Sequence, residues 1–338
     1  MKFGHVRIKR RYVYLGAALL LLLGAGLYIY WRFEPSAHFK RTDIPILATP
    51  EADLPSTGPQ SGVTKPGSPQ TPAKANDSSR QHSFNILILG TDARSQELSR
   101  TDVIMLAHVN PDRHTVNLIS IPRDTRVHIN GVGYTKINHA HVLGEMNGGG
   151  THSGTQATIQ AVSNLFSSSI NYYIKTDFEG FEHFIDTLGG LDVYLEQPVK
   201  LTYGHKTFPA GDNHLSGAEA LDLVRERKSL PGGDTSRQAN QAMVLKEIVR
   251  TVIKPQNLKS LPSLISQVRE DILDTNLSDN DMISLAWMVQ EVKEDGFQYV
   301  QLPGYNGRAM DPLVKSELYY WMPDMEEWAT SSQHLLED

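Results

Sequence analysis

The feature that most restricts how this chain can fold is an uncharged stretch of twenty residues near its N-terminus, "YVYLGAALLLLLGAGLYIYW" (12–31). A helix rises about 1.5 Å per residue, so this one would measure about 30 Å, the thickness of a bilayer's hydrocarbon core. Five Lys and Arg residues precede it, and tyrosine and tryptophan lie at its ends. The sequence therefore predicts a transmembrane helix over 12–31, with a cytoplasmic basic tail, 1–11, and the rest of the chain outside.

A cleaved signal peptide is the competing interpretation, because it also combines a basic start with an apolar middle. The apolar run is long for a signal peptide, and no clear pair of small residues at cleavage spacing follows it. These two points favour an uncleaved anchor. The chain contains no cysteine, which fits a bacterial extracellular protein that folds without disulfide bonds.

The composition changes after the apolar stretch. Residues 32–82 contain eight of the eighteen prolines, and much of the rest is Ser, Thr and Gly. Such a segment has too little apolar surface to bury, so it is predicted to be a disordered linker. Residues 83–338 are interpreted as one folded extracellular domain. The strand-like "FQYVQLP" (297–303) needs a sheet partner, which places the C-terminal part in that domain.

The folded part of the chain is acidic. Residues 83–338 carry 21 Lys and Arg against 33 Asp and Glu, and residues 256–338 carry 5 against 15. A nucleic-acid-binding surface depends on clustered positive charge that neutralises phosphates. The balance therefore argues against a nucleic-acid partner, and any cluster of arginines needs a local explanation.

The order of the predicted elements indicates an α/β fold. "FNILILG" (84–90) has the apolar pattern of a buried strand, and "DVIMLAHV" (102–109) with "TVNLISI" (115–121) predicts an antiparallel hairpin. Strands and helices then alternate along the chain. We therefore predict a mixed central sheet flanked by helices, an α-β-α sandwich.

Helices are predicted where apolar residues recur at helical spacing. Residues 155–166 form one, and "SGAEALDLV" (216–224) forms another that its serine caps. A longer helix begins near residue 235 or 236 and runs to 254, and a further one follows a cap at Ser278 or Asp279.

Charged residues follow the predicted strands. Asp92 comes just after the first strand, Arg100 lies beyond it, Asp102 opens the second strand, and Arg123 follows the third. Ligands of open α/β sheets gather at strand ends, so these loops can share a pocket. Neighbouring carboxylates repel unless a cation lies between them, and Mg²⁺ takes one or two protein carboxylates together with phosphate oxygens. Asp92 and Asp102 are therefore candidate Mg²⁺ ligands, whereas either one alone would be read as a turn or cap residue.

The segment "RERKSLPGGDTSRQANQ" (225–241) gathers cations in an acidic domain. Arg237 and Gln241 share one face of the first turns of a helix, where free backbone N–H groups already favour an anion. Arg225 and Arg227 alternate along a segment predicted to be extended, and would point the same way. Guanidinium groups bind phosphate through two hydrogen bonds. The ordinary interpretation of such a segment is a run of solvated charges. Together with the arginine that follows the third strand and a metal ion, however, the cluster would form a receptor for pyrophosphate.

Other motifs carry weaker signals. "NHAH" offers His139 and His141 at a spacing that suits a metal in a strand, but no third ligand lies close in sequence. The glycine-rich "NGGGTHSG" (147–154) lacks the Lys-Ser/Thr of a P-loop and is predicted to be a mobile loop. No G-x-S-x-G pattern occurs, so Ser/His/Asp hydrolysis has no motif to support it.

With these residues in view, the chain resembles the LytR-CpsA-Psr family of bacterial cell-envelope proteins. The resemblance covers about residues 84–254 and continues towards the C-terminus. It is carried, in the family's order, by "NILILGTDAR", "SRTDVIMLAHVNP", "LISIPRDTRV", "KINHAH", "DFEGFEHFIDTLGGLDV", "LSGAEALDLVRERK" and "GGDTSRQANQ". Two departures stand out. Thr235 and Ser236 replace a common aromatic and small residue, and Asn240 stands where a second arginine is common.

The resemblance implies a single-pass protein of a Gram-positive-type cell membrane whose external domain is a Mg²⁺-dependent phosphotransferase. The donor would be an anionic glycopolymer, a teichoic acid or a capsular-type polysaccharide, on undecaprenyl pyrophosphate, and the acceptor would be peptidoglycan. The family's functional positions fall on Asp92, Arg100, Asp102, Arg123, Arg225, Arg227, Arg237 and Gln241. The aspartates would hold the metal, while Arg123 and the four residues between 225 and 241 would bind the substrate.

Two other functions would use the same residues. A polyprenyl pyrophosphate hydrolase would need no peptidoglycan, and a non-catalytic regulator of envelope synthesis would bind polyprenyl phosphate without turnover. A lipid ligand requires an apolar groove, and helices 155–166 and 239–254 are the candidates for its walls.

Overall fold

The structure is a computed structural model, and it describes residues 34–51, 83–92, 99–202, 206–271 and 274–337 together with Gly24 and Tyr28. The predicted tail, 1–11, lies outside the described residues, as does the predicted span, 12–31, apart from Gly24 and Tyr28, which are helical. Within the described part of the chain, no helix is both long enough and apolar enough to cross a membrane.

Runs of strands and runs of helices follow one another along the described ranges. The helices are α1 (Pro35–Arg41), α2 (His139–Gly144), α3 (Gly150–Phe166), α4 (Phe178–Thr187), α5 (Gly217–Arg225), α6 (Asp234–Val252), α7 (Pro255–Lys259), α8 (Leu261–Asp271), α9 (Asp279–Glu291) and α10 (Met325–Ser331). The strands are β1 (Phe84–Thr91), β2 (Thr101–Asn110), β3 (Thr115–Ser120), β4 (Arg126–Ile129), β5 (Gly133–Lys136), β6 (Tyr172–Thr176), β7 (Leu191–Leu195), β8 (Val199–Lys200), β9 (Thr207–Phe208), β10 (Gly211–Leu215), β11 (Asp274–Thr275), β12 (Phe297–Gln301), β13 (Gly304–Asp311) and β14 (Ser316–Pro323).

A six-stranded mixed sheet with the order β11-β6-β1-β2-β3-β12 lies at the centre. β2 pairs antiparallel with both β1 and β3, which confirms the predicted hairpin. β1 pairs parallel with β6, and β12 pairs parallel with β3. The C-terminal strand therefore finds its partner in the same sheet, as its sequence required.

Helices cover both faces of this sheet, because successive side chains of β1 point to opposite sides. Leu87 and Leu89 belong to a buried cluster with Ile159 and Val162 of α3. Ile86 and its neighbours on the other face pack with residues of α1, α6 and α9. The predicted α-β-α arrangement of a mixed sheet is therefore confirmed.

A second apolar cluster supports the cationic segment that was singled out in the sequence. Leu191 and Val193 of β7 are buried against residues of α4, α5 and α6. Ser216 caps α5 in a capping box with Glu219, in which each side chain accepts a hydrogen bond from the other's backbone. The cap defines where α5 starts, and the extended backbone of Glu226 ends the helix at Arg225.

The start of the predicted linker is folded, contrary to the expectation of disorder over 32–82. Phe39 in α1 is fully buried against Phe84 of β1. His38 Nε2 lies 2.7 Å from Asp281 Oδ1 in the first turn of α9. Ala48 is buried and pairs with Ile170. Residues 34–51 therefore belong to the domain, because apolar side chains of this segment are buried in its core.

The glycine-rich stretch 147–154 is also more regular than predicted. Glu145–Gly149 forms a short π-helical turn, and α3 begins at Gly150. A Cβ at Gly154 would lie 2.6 Å from the carbonyl oxygen of His141 in α2. This glycine therefore allows two helices to touch backbone to backbone, and the prediction of a mobile loop is wrong for residues 150–154.

Candidate active site

One end of the β1–β2 hairpin carries three of the predicted residues. Thr91 pairs with Thr101, with a shift in register just before Thr91. Beyond this pair, the backbone N–H of Arg100 donates to Asp92 Oδ1 at 2.8 Å, and that of Asp92 donates to the Arg100 carbonyl at 3.2 Å. Asp102 follows Thr101 directly. The same end of the sheet therefore carries Asp92, Arg100 and Asp102.

Arg123 joins this end from the loop after β3. Its Nη1 donates to Asp102 Oδ1 at 2.5 Å. Burial disfavours the charge on Arg123, but attraction to Asp102 and the hydrogen bond to it outweigh burial, so the pKa of Arg123 is raised. The pair therefore fixes a cation at the strand ends, where the sequence predicted one.

Arg237 lies in the first turn of α6 and is 5% exposed. Its Nη2 is 2.7 Å from Asp234 Oδ1, one turn earlier. Burial lowers the pKa of Arg237, Asp234 opposes that shift, and the nearby cations Arg123 and Arg227 add to it. The buried Nε atoms of Arg123 and Arg237 have no hydrogen-bond partner within the described residues. Each guanidinium therefore has one nitrogen held by a carboxylate and a buried Nε that an anion could accept a hydrogen bond from.

The turn after α5 places Arg225 and Arg227 differently from the prediction. Arg225 is the last residue of the helix, with its guanidinium carbon 4.5 Å from the centre of the Phe178 ring. Glu226 is buried, and its carboxylate accepts hydrogen bonds from the backbone N–H groups of Thr202 and Ser229. Arg227 is exposed. The prediction that both arginines alternate along one extended segment is wrong, because the helix continues one residue further and a buried glutamate makes the turn.

A cavity of about 400 Å³ meets the charged cluster. It lies between the sheet and helices α4, α6, α8 and α9, and Asp102, Arg225, Arg237 and Gln241 are part of its lining. Gln241 is held by a hydrogen bond from its Nε2 to the Val224 carbonyl. The apolar lining on α6 and α9 comprises Val244, Leu245, Ile248, Val249, Val252, Met282, Leu285, Ala286, Met288 and Val289. The cavity therefore has a charged part and a long apolar part.

The predicted groove walls are half right. The helix predicted over 239–254 supplies one wall of the cavity, whereas residues 155–166 pack in the core on the opposite face of the sheet. Asp92 and Arg100 are not part of the cavity lining, although Asp92 directly follows the lining residue Thr91. Arg94, two residues after Asp92 in the sequence, lies outside the described residues.

The structure adds residues that the sequence reasoning missed. Gln238 accepts a hydrogen bond from Ser120 Oγ at 2.7 Å and donates to Asp234 Oδ2 at 2.9 Å, so it ties α6 to the end of β3. Lys136 Nζ pairs with Asp124 Oδ1 at 2.7 Å, next to Arg123. The spacing of Asp234, Arg237 and Gln238 on one helix was a signal that could have identified the first group.

Comparison with known proteins decides the family. The sequence profile of the LytR_cpsA_psr family matches residues 57–335, most of the chain. This chain belongs to the LytR_cpsA_psr family. The resemblance seen in the motifs is therefore confirmed, and the match runs through the C-terminal strands of the domain.

Several members of the LytR_cpsA_psr group are similar to this chain. The polyisoprenyl-teichoic acid–peptidoglycan teichoic acid transferase TagU of Bacillus anthracis is 31% identical over 247 residues, covering 73% of this chain and 76% of that protein. TagU of Bacillus subtilis strain 168 is 30% identical over 257 residues, covering 75% and 77%. The crystal structure of B. subtilis TagV superposes with a TM-score of 0.63 at 26% identity, covering 77% of this chain and 99% of that one. TagT bound to LI-WTA superposes at 0.60 with 27% identity, covering 75% and 89%.

The two histidines of this LytR_cpsA_psr domain lie in a helix rather than a strand. His139 Nδ1 is 2.7 Å from Thr135 Oγ1, and burial lowers the pKa of His139. His141 Nδ1 lies 3.5 Å from Glu145, and burial lowers the pKa of His141 as well. Nowhere in the described ranges do three or more His, Cys, Asp or Glu side chains group as a metal site would require. Both histidines are therefore packed against other partners.

Proposed function

We propose that this protein is a phosphotransferase that moves an anionic glycopolymer from undecaprenyl pyrophosphate to peptidoglycan. One observation carries the proposal: Arg237, which is almost fully buried and has an Nε without a partner among the described residues, lines the same cavity as the apolar side chains of α6 and α9. Buried cations beside an apolar cavity match a ligand with a phosphate head and a hydrocarbon tail. The similarity to proteins named teichoic acid transferases supports the same function.

The arginines would bind the pyrophosphate. Arg123 and Arg237 each present a buried Nε without a partner among the described residues, next to Nη atoms that are already fixed by Asp102 and Asp234. Because one nitrogen of each guanidinium is held by a carboxylate, the buried Nε is oriented before the substrate arrives. Arg225 and Gln241 complete the head-group contacts where the lipid enters the cavity.

The reaction is a single transfer at phosphorus. The acceptor hydroxyl attacks the phosphorus that carries the glycopolymer, and a new phosphorus–oxygen bond forms. The bond from that phosphorus to the bridging oxygen breaks, and undecaprenyl phosphate leaves with this oxygen. The hydroxyl proton passes to a base at the site, for which the aspartates are the candidates. Arg123 and Arg237 neutralise the charge that develops on the leaving phosphate.

Asp92 and Asp102 suit a divalent cation that is shared with the substrate. Two carboxylates at one sheet end are fewer ligands than a closed protein site needs, but Mg²⁺ binds through one or two carboxylates with phosphate oxygens and waters. Bound there, Mg²⁺ would supply charge neutralisation at the phosphate oxygens. Arg123 holds Asp102 in place in either case.

The location of the enzyme follows from the predicted anchor. Residues 12–31 would span the cell membrane with residues 1–11 in the cytoplasm, and the domain would face the external surface. The undecaprenyl carrier and the peptidoglycan would then both be within reach of the site.

The test compares two arginines of α6 in the full-length chain, assayed in detergent with lipid-linked glycopolymer and peptidoglycan. Arg237→Lys keeps the charge but loses the planar fork, and we expect the transfer rate to fall by about 10- to 100-fold, the loss of one or two charge-assisted hydrogen bonds. Arg250→Lys is the matched control, since Arg250 also pairs with an acidic residue one turn earlier but lies in solvent.

Three outcomes would contradict the proposal. Equal rates for wild type and Arg237→Lys would remove the phosphate-binding role of the arginines. Donor cleavage that is unchanged when peptidoglycan is omitted would identify a hydrolase. Tight binding of donor with no turnover in the presence of Mg²⁺ would identify a non-catalytic regulator.

A further inference from the structure

The β13–β14 hairpin presents an exposed face that the proposed reaction does not use. Asn306 pairs with Trp321, and Arg308 pairs with Tyr319. Residues that face each other across an antiparallel pair, and residues two apart along a strand, point to the same side. We call this side the outer face; it consists of Asn306, Arg308, Met310, Glu317, Tyr319 and Trp321.

The outer face adjoins the charged site. The backbone N–H of Trp321 donates to the carbonyl of Asp124 at 3.0 Å, which attaches β14 to the loop that carries Arg123. Burial raises the pKa of Tyr319, and the carboxylates of Asp124 and Asp234 raise it further. Tyr319 therefore lies where the strip of exposed side chains meets the carboxylates of the site.

The side chains of the outer face are held in fixed positions. Tyr319 Oη donates to Asn306 Oδ1 at 2.8 Å, and Arg308 Nε lies 3.0 Å from Glu317 Oε2. The indole of Trp321 donates to the Leu302 carbonyl, and it lies so close over Gly304 that a Cβ there would be 2.7 Å from Nε1. The outer face thus presents the exposed ring of Tyr319 and the partly buried indole of Trp321, together with amide, guanidinium and carboxylate groups.

This arrangement matches a sugar chain in its chemistry. A pyranose ring has an apolar face of C–H groups and a rim of hydroxyl groups. Flat aromatic rings such as Tyr319, which is 40% exposed, cover the apolar face at little cost in conformational entropy. Asn306, Arg308 and Glu317 can exchange hydrogen bonds with the hydroxyl and amide groups of the rim.

Charge decides which sugar chain fits. The outer face carries one cation, Arg308, and one anion, Glu317, and these pair with each other. It offers no net positive charge to hold a polyanionic glycopolymer, whereas a chain without charge along its sugar backbone needs none. The acceptor, rather than the donor, is therefore the polymer that the surface accommodates.

We propose that the outer face binds the sugar backbone of the acceptor glycan, a β-linked chain of N-acetylated hexosamines, and directs it to the site. The proposal rests on the proposed function, because it assumes that the acceptor is a polysaccharide. Tyr319 and Trp321 stack on successive sugar rings, and the edge nearest Asp124 delivers the hydroxyl that reacts.

A binding assay without donor tests the surface directly. Full-length protein in detergent is titrated with chitohexaose, an uncharged β-1,4-linked hexamer of N-acetylglucosamine. We expect Tyr319→Ala to weaken binding by about tenfold, as the loss of one aromatic contact predicts. Tyr305→Ala is the matched control, because Tyr305 is in the same hairpin and 62% exposed but pairs with Met322 on the opposite face. Equal affinities for the Tyr319→Ala and Tyr305→Ala proteins, both folded by circular dichroism, would overturn the proposal.

A second variant separates stacking from hydrogen bonding. Tyr319→Phe keeps the ring and loses only the bond to Asn306, so chitohexaose binding is expected to fall by less than in Tyr319→Ala. A loss as large as that of Tyr319→Ala would exclude stacking by the ring. An anionic teichoic acid fragment that binds wild type more tightly than chitohexaose and is weakened by Tyr319→Ala would assign the surface to the donor instead.

The transfer assay distinguishes failure of this inference from failure of the proposed function. In Tyr319→Ala we expect KM for the glycan acceptor to rise about tenfold, in line with the binding loss, while kcat and the affinity for the lipid-linked donor stay unchanged. If the wild-type protein binds chitohexaose through Tyr319 but transfers no glycopolymer, the proposed binding surface is supported and the proposed transferase function is contradicted. If the Tyr319→Ala protein transfers glycopolymer with the wild-type KM for the acceptor, the proposed binding surface is contradicted and the proposed transferase function is supported.

Discussion

Asp311, at the end of β13, fastens the C-terminal hairpin to the rest of the domain. It accepts hydrogen bonds from Tyr320 Oη at 2.6 Å, from Thr135 Oγ1 at 2.7 Å and from the backbone N–H groups of Leu313 and Val314. Burial raises the pKa of Asp311, but these hydrogen bonds outweigh burial and lower it to about 2. The ionised carboxylate is therefore stabilised in the folded chain.

This shift predicts how stability depends on pH. Because the folded pKa lies below the unfolded one, the contribution is complete above about pH 4 and is lost as the pH falls towards about 2. A difference of nearly two pKa units corresponds to about 2 kcal/mol. We expect Asp311→Asn to lower the free energy of unfolding by this amount at pH 7, and by progressively less as the pH falls from 4 to 3, in urea denaturation.

Asp212→Asn is the control, since Asp212 is exposed in another two-stranded sheet, the one that β10 forms with β7. A stability difference between wild type and Asp311→Asn that stays constant down to pH 3 would show that the carboxylate's ionisation is not responsible.

At the same scale, the site shows which residues a sequence can identify. Asp102 and Arg123 were predictable because one opens a predicted strand and the other follows one, and strand ends meet at one edge of a sheet. Arg237 and Gln241 were predictable from helical spacing. The conformation at Arg225 was not, because it depends on the buried hydrogen bonds of Glu226 to Thr202, 24 residues away.

Among the secondary-structure elements, α6 connects the charged cluster to the apolar cavity. Val249 lies in its second half and lines the cavity. We expect Val249→Trp to fill part of this space and lower kcat/KM for an undecaprenyl-linked donor by about tenfold, about 1.4 kcal/mol of lost lipid contact. A donor with a short prenyl chain should lose less. The two donors are compared in the same transfer assay.

Arg250→Trp adds the same ring one position along the helix, where the side chain points to solvent, and should leave both donors unaffected. If the Val249→Trp protein lost the same factor with long and short lipids, the cavity would not be the place where the lipid tail binds.

Most elements were predictable because their signals are local. Strands β1, β2, β3 and β12 were recognisable from apolar runs, and Ser216 and Ser278 were recognised as caps that the structure confirms. The loop predicted from composition is wrong at residues 150–154, because glycine-rich segments usually indicate a loop and this one does not form one. There the glycine at 154 serves a contact between α2 and α3 that no local pattern reveals.

For the molecule as a whole, the docking of α1 is the feature with the largest effect. The His38–Asp281 pair is buried, with side chains 4% and 8% exposed, and it joins the N-terminal segment to a helix that lines the cavity. We expect His38→Ala to lower the free energy of unfolding by about 2–3 kcal/mol, because Asp281 is left buried without its partner. Denaturation of the full chain in urea measures this change.

Lys40→Ala is the matched control in the same helix. Lys40 pairs with Asp112 at 2.8 Å, but both side chains are well exposed, so the expected loss is below about 1 kcal/mol. A double-mutant cycle of His38→Ala with Asp281→Asn should show coupling between the two sites. Additive effects would mean that the contact does not bind α1 to the domain.

This docking could not be predicted from the sequence, because the proline content of residues 32–82 pointed to a linker without structure. A segment with few apolar residues can still fold when an existing core receives them. The pocket that Phe39 fills is made by Phe84 and Tyr172, from strands far along the chain. The boundary of the domain was therefore placed at 83 although described residues from 34 onwards belong to it.

The docked segment also determines how far from the lipid surface the enzyme can work. With residues 12–31 in the membrane, as the sequence predicts, three residues separate that span from α1, and three residues extend at most about 10 Å. The folded domain would then stay close to the bilayer, because the connection to the span is too short to let it move away. For the proposed transfer, the lipid carrier would then reach the site without leaving the membrane, and the acceptor would be the layer of the wall nearest the bilayer.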